Sequence, residues 1–204
     1  FTKHHIYYCS INSATGEMRA NGAQVTGAAN AFTGVGCPVA MANIQMAVDV
    51  ASATISTRLM SASVAQTNFS CLAVEFTSAS TTDGKLYRYS YSANNVPFTR
   101  RYICDVGVPI ATATQYHGGA WFDPASQDVV YVARNDGAGA WSVDRYATTD
   151  AGVTWAQTTL YSGAKKLARP MPFGDAELLV SEFDTYVSYE NFTNGVMRII
   201  PRTV

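Results

Sequence analysis

Seven side chains in this sequence stand out as candidates for acid–base or carboxylate chemistry. They are His5, Tyr116, His117, Arg134, Arg145, Tyr146 and Arg169. A tyrosine or histidine can move a proton near neutral pH. An arginine offers a planar fork of N–H donors that matches a carboxylate. Tyr116-His117-Gly118-Gly119 places two proton-transfer groups next to each other. Neighbours on a strand face opposite sides, so at most one of the two points into a given cleft unless Gly118-Gly119 bends the chain. The same alternation separates His4 from His5, and we favour His5. Arg134 closes an apolar run, where a charge needs a partner. An ion pair with Asp136 or Asp144 supplies one reading, and a substrate carboxylate supplies the other. Tyr116 reads equally well as a core aromatic. Arg169, in Ala168-Arg-Pro170, is a candidate carboxylate binder or a joint between sheets.

Other chemistries find no motif. There is no G-x-S-x-G, and the Gly-rich stretches do not fit a phosphate loop. Cys9, Cys37, Cys71 and Cys104 lie far apart without a CxxC pair, which argues against zinc, and no metal or cofactor is implied. The cysteines are read as buried thiols, with a Cys71–Cys104 bridge as the alternative, since both sit in strand-like runs. Charged residues are 14% of the chain and the net charge is −1, so bulk charge attracts neither nucleic acid nor an acidic membrane. No run of about 18 apolar residues occurs, so no membrane span is expected. Twelve tyrosines suit a sugar site, where aromatic faces meet polar rims.

The elements that must position these residues are strands. Runs at 6–11, 43–50, 71–76, 85–91, 99–104, 128–134, 141–146, 154–160, 176–182 and 195–200 are short, and Gly and Asp turns separate them. Asn43–Val50 alternates Ile44, Met46, Val48 and Val50 with smaller or polar residues, a period of two. Asp83-Gly84 is a hairpin signal. Thr26–Pro38, rich in Gly and Ala, reads as a long loop. The pattern predicts an all-β sandwich, barrel or propeller.

Thr148-x-Asp150-x-Gly152-x-Thr154-Trp155 narrows this choice. It matches the Asp-box pattern S/T-x-D-x-G-x-T-W, and resembles that of the sialidase superfamily. Such a box is a structural corner, with Asp150 accepting turn amides and Gly152 supplying a positive φ. Around it stand Tyr116-His-Gly-Gly, Phe122-Asp-Pro, Val130-Tyr-Val-Ala-Arg134, Trp141-x-x-x-Arg145-Tyr146, Ala168-Arg-Pro170 and Tyr186-x-Ser-Tyr189. From about Tyr116 to Tyr189 the chain resembles the C-terminal half of BNR-4 propellers, which include ulvan-type polysaccharide lyases. The resemblance implies a β-propeller or partial propeller of four-stranded blades. At about 45 to 50 residues per blade, 204 residues make roughly four. Residues 1–204 are therefore expected to be one propeller-like domain, the C-terminal part of a larger one. A companion chain or upstream blades would complete it.

The resemblance also implies a function. A lyase needs a cation to neutralise the uronate carboxylate, a base to take the C5 proton and an acid for the leaving oxygen. Arg134 would neutralise; Tyr116, His117 or His5 would move the protons; Arg145, Tyr146 and Arg169 would line the substrate. The expected partner is an acidic polysaccharide, met outside a cell or on a virion as by a phage depolymerase. The alternatives are a non-catalytic glycan-binding or structural module and a glycoside hydrolase on the same fold.

Overall fold

The structure is a computed structural model and describes residues 6–8, 10–11, 14–20, 23–24, 45–48, 55–65, 68–77, 84–91, 98–109, 118–135, 139–188 and 191–202. His5, Tyr116, His117, Asp136, Tyr189, Cys9, Cys37 and residues 26–38, expected to be a loop, lie outside them. The described chain is all-β and antiparallel. β1 (Ile6–Tyr8) pairs with β5 (Gln45–Val48), while β2 (Ser10–Ile11), β3 (Met18–Ala20) and β4 (Ala23–Gln24) form a small meander. Two four-stranded meanders follow, each in chain order. The first is β6 (Ile55–Ala65), β7 (Asn68–Thr77), β8 (Gly84–Tyr91) and β9 (Thr99–Gly107). The second is β10 (Ala120–Asp123), β11 (Ser126–Asn135), β12 (Trp141–Ala147) and β13 (Ala156–Gly163). A third sheet orders β14 (Lys166–Phe173), β15 (Glu177–Phe183) and β18 (Val196–Pro201). The hairpin β16 (Thr185–Ser188) and β17 (Asn191–Thr193) is inserted between its last two strands.

The sheets stack face to face, and β11 shows why. Its side chains alternate sides, and Val130 to Ala133 are all buried. Val130 and Val132 pack with Leu72, Val74 and Leu86 of the first sheet. Tyr131 and Ala133 pack with Leu167, Leu178 and Val180 of the third. The second sheet is thus covered on both faces. Each fully buried Val or Leu contributes about 1.5–3 kcal/mol. Polar ties reinforce the two seams: Arg88 Nη1 donates to Asp128 Oδ1 at 2.8 Å, and Arg202 Nη1 to Asp123 Oδ2 at 3.3 Å.

The alternation also decides the cysteines. Cys71 packs with Ala73 and Tyr89 on one face of the first sheet, whereas Cys104 packs with Leu72 and Val74 on the other. A disulfide cannot pass through a sheet, so the Cys71–Cys104 bridge is corrected to two buried free thiols. Burial pushes both up to about 12.

Of the strands that escaped the sequence pattern, β6 and β14 are the longest. β6, Ile-Ser-Thr-Arg-Leu-Met-Ser-Ala-Ser-Val-Ala, has little apolar alternation to read. β14 contains Pro170 and Pro172, which normally argue against a strand. It tolerates them because it pairs only with β15, and its pairing register breaks between Ala168 and Met171.

Candidate functional site

Three stretches marked in the sequence converge at one edge of the second sheet. β11 ends there with Arg134 and Asn135, and β10 begins there after Gly118-Gly119. Ala133 N donates to Gly119 O at 2.9 Å, and Arg169 N donates to Gly118 O at 2.7 Å. Gly118 is wedged between two strands: a Cβ on it would stand 2.3 Å from Ala133 O and 2.8 Å from Leu167 O. Only glycine lets the backbones of β11 and β14 approach it this closely. The Ala-Arg-Pro stretch therefore joins the third sheet to the second.

Arg169 itself is exposed and holds a left-handed φ of 55° at the register break in β14. That conformation costs a non-glycine residue on the order of 1–2 kcal/mol. Bulges of this kind re-aim a side chain, and strained backbone clusters at binding sites.

Arg134 takes the ion-pair geometry. Its Nε donates to Asp144 Oδ2 at 2.6 Å; the arginine side chain is 20% exposed and the aspartate fully buried. Asp144 also accepts from Ser142 Oγ at 2.9 Å, Thr159 Oγ1 at 2.7 Å and Gln157 Nε2 at 3.1 Å. The buried carboxylate is well supplied with donors, and the Arg134 charge is balanced at the sheet end. Desolvation, the largest single effect, works against that charge, but the hydrogen bond to Asp144 and the charges of Tyr146, Asp144 and Cys104 together outweigh it and raise the guanidinium's pKa.

Arg145 and Tyr146 do not line one face, which corrects the expectation that they do. Cross-strand pairing puts Arg145 opposite Tyr131 and Tyr146 opposite Val130, so the two project to opposite sides. Tyr146 is 4% exposed, within the core shared with the first sheet. Its hydroxyl pairs with the Cys104 thiol, and burial raises its phenol far above the ordinary range. A sugar cannot reach it without opening that seam. Arg145 is half-buried beside Tyr131, whose hydroxyl donates to Asp123 Oδ2 at 2.7 Å.

The acidic turn Thr148–Trp155 connects β12 to β13 as a hairpin. Asp150 accepts from Thr154 N at 2.9 Å and Thr154 Oγ1 at 2.6 Å, and Thr148 Oγ1 accepts from Gly152 N at 2.9 Å. Gly152 has φ 87°, and Trp155 packs on the core between the first two sheets. β12 begins at Trp141, opposite Asn135, and ends beside this turn. The turn therefore lies a strand length, about 20 Å, from the Arg134 edge.

Sequence reasoning offered Asp144 beside Asp136 as the partner of Arg134, and the structure pairs Arg134 with Asp144. It passed over Trp121. Trp121, on β10, is 39% exposed; its apolar type hid that. Among the described residues no group of three or more His, Cys, Asp or Glu side chains is arranged to hold a metal ion. No protein-family profile, curated protein or solved structure matches the chain.

Proposed function

We propose that the chain is a carbohydrate-active propeller module that takes a uronate-containing polysaccharide and cleaves it by β-elimination. In this reading the stacked meanders are consecutive blades, with β6, β10 and β14 as their inner strands; β10 packs against both of the others. The observation that carries the reading is the convergence of Gly118-Gly119, Arg134 and exposed, strained Arg169 at one edge of those strands. Tyr116 and His117 immediately precede Gly118 in the chain. Elimination takes the proton from C5, breaks the C4–O4 bond, forms a C4=C5 double bond and protonates the departing O4. Base and acid would come from among Tyr116, His117 and His5, and arginine would neutralise the carboxylate. Such a polymer would be met outside the cell or by a virion.

One observation favours a second reading, a non-catalytic glycan-binding or structural module. Arg134 already has a carboxylate partner in Asp144, so its charge is balanced before any substrate arrives. The deciding experiment is incubation with alginate, polygalacturonate and glucuronan while following the ultraviolet absorbance of the new unsaturated uronate. A rise that Tyr116→Phe abolishes supports the lyase. Retained binding of these polymers with no rise overturns cleavage and leaves the binding module. A new reducing end without absorbance would instead mark a hydrolase.

A further inference from the structure

We infer that Tyr102, with Arg100 and Asp105 on either side of it along β9, forms a binding platform for a neutral pyranose oligosaccharide on the outer face of the first sheet. The inference goes beyond the reading above, because it needs neither cleavage nor the Gly118 edge.

The register of β9 puts these groups on one face. Leu86 and Cys104 stand opposite each other and are both in the core against the second sheet. Tyr87 stands opposite Tyr102, and Lys85 opposite Asp105, so all four project on the other face. Strict alternation would send residues 102 and 105 to opposite sides. The register shift between Leu86 and Tyr87, which leaves Ile103 and Cys104 both in the core, brings them to the same side.

Contacts fix where the side chains lie. The rings of Tyr102 and Tyr87 meet in a T-shaped contact, their centroids 5.7 Å apart. The Arg100 guanidinium lies over the Tyr87 ring, 3.6 Å from its centroid. Arg100 Nε and Nη2 donate to Glu75 Oε1 and Oε2 at 2.9 and 2.6 Å, and the Tyr89 hydroxyl donates to the same carboxylate. The Tyr102 hydroxyl donates to Asp105. The groups are held in place before a ligand arrives, so binding costs little ordering entropy.

Three binding capacities are left over. Tyr102 is 46% exposed, and a large ring kept in water on a rigid strand forgoes burial free energy that a stacked sugar would restore. The Arg100 side chain is 49% exposed, and its Nη1 takes part in none of the bonds to Glu75 and Tyr89. Asp105 is exposed and accepts from sugar hydroxyls when ionised. An aromatic ring between an N–H donor and a carboxylate acceptor matches the C–H face and hydroxyl rim of a pyranose. Glu75 already meets the Arg100 charge, so the guanidinium does not call for an anion. Lys85, opposite both Glu75 and Asp105, brings the cluster to two cations and two carboxylates. That balance selects a neutral ligand.

The test is calorimetric titration of the full chain with cellohexaose and mannohexaose, with a galacturonate hexamer as the charged control. At least one neutral hexamer should bind. Its affinity should fall about tenfold in Tyr102→Ala, about threefold in Asp105→Asn and less than about twofold in Tyr102→Phe, which keeps the ring. Melting temperatures should stay at the parent value, since both side chains are exposed. Absence of heat from both neutral hexamers overturns the platform. Equal affinity in the parent and Tyr102→Ala also overturns it, and tighter binding of the galacturonate hexamer overturns the neutral assignment. Tyr116→Phe should leave the affinity unchanged, so failure of the cleavage assay and failure of this site are read separately.

Discussion

Arg134 Nε and Asp144 Oδ2 lie 2.6 Å apart at the end of the second sheet, the aspartate wholly shielded from water. A buried carboxylate without its cation is costly, whereas the intact pair is worth much less than its Coulomb attraction suggests. The pair is therefore a structural commitment whatever else Arg134 does.

Asp144→Ala or Arg134→Ala should each destabilise the fold by about 3–5 kcal/mol, read from urea unfolding midpoints. Arg134→Lys should also lose stability, because an ammonium does not reproduce the Nε geometry. Unfolding of Arg134→Lys at the parent midpoint would remove the structural role.

Acid should weaken the protein through its turn and through Glu182. Hydrogen bonds from Thr154 and Thr148 hold the Asp150 carboxyl well below its ordinary value of 3.8, and Arg198 holds Glu182 below 4.5. Folded-state values below unfolded ones contribute stability that is fully present above the unfolded value and lost as pH falls through the folded one. The melting temperature should hold down to about pH 4.5 and then fall. Asp150→Asn should melt lower at neutral pH and show a shallower acid decline. The same acid decline in parent and variant would show that Asp150 contributes nothing to it.

Three glycines should rank by what a methyl group meets. Gly107→Ala places a Cβ 1.5 Å from Asn135 O at φ 68°, and should abolish soluble folded protein. Gly118→Ala meets Ala133 O at 2.3 Å and should cost several kcal/mol, about the upper end of overpacking penalties. Gly174→Ala, at φ 57° with open space around it, should cost only about 1–2 kcal/mol. Far-UV circular dichroism and denaturant titration give the order.

Cys71 and Cys104 should resist thiol reagents. Burial raises both to about 12, so the reactive thiolate is scarce at pH 8. In a Cys9→Ser/Cys37→Ser background, labelling by an aromatic disulfide should be slow in the native state and stoichiometric at two thiols in guanidinium. Rapid native labelling would show that the core around them opens.

Much of this architecture could be read before any coordinates. Val130 and Val132 against Tyr131 and Ala133, and the Gly152 turn, carry their geometry locally: a period of two makes a strand, and a positive φ makes a tight corner. The hairpin expected around Asp83-Gly84 appears as antiparallel pairing of β7 with β8, although Asp83 lies outside the described residues. Strand β14 was missed because its prolines are tolerated only at a sheet edge, and the sequence does not say which strands are edges.

What the sequence determined by itself is the all-β class, the strand spacing and the hairpin turn, because each depends on residues within a few positions of one another. What only the tertiary structure decided is partnership. Asp144 claims Arg134, Gly118 admits both Ala133 and Leu167, and Cys71 and Cys104 fall on opposite faces of one sheet. Arg145 and Tyr146 part company for the same reason. Strand register and sheet stacking bring together residues far apart in the chain, and a one-residue shift in register would move every one of these side chains to the other face.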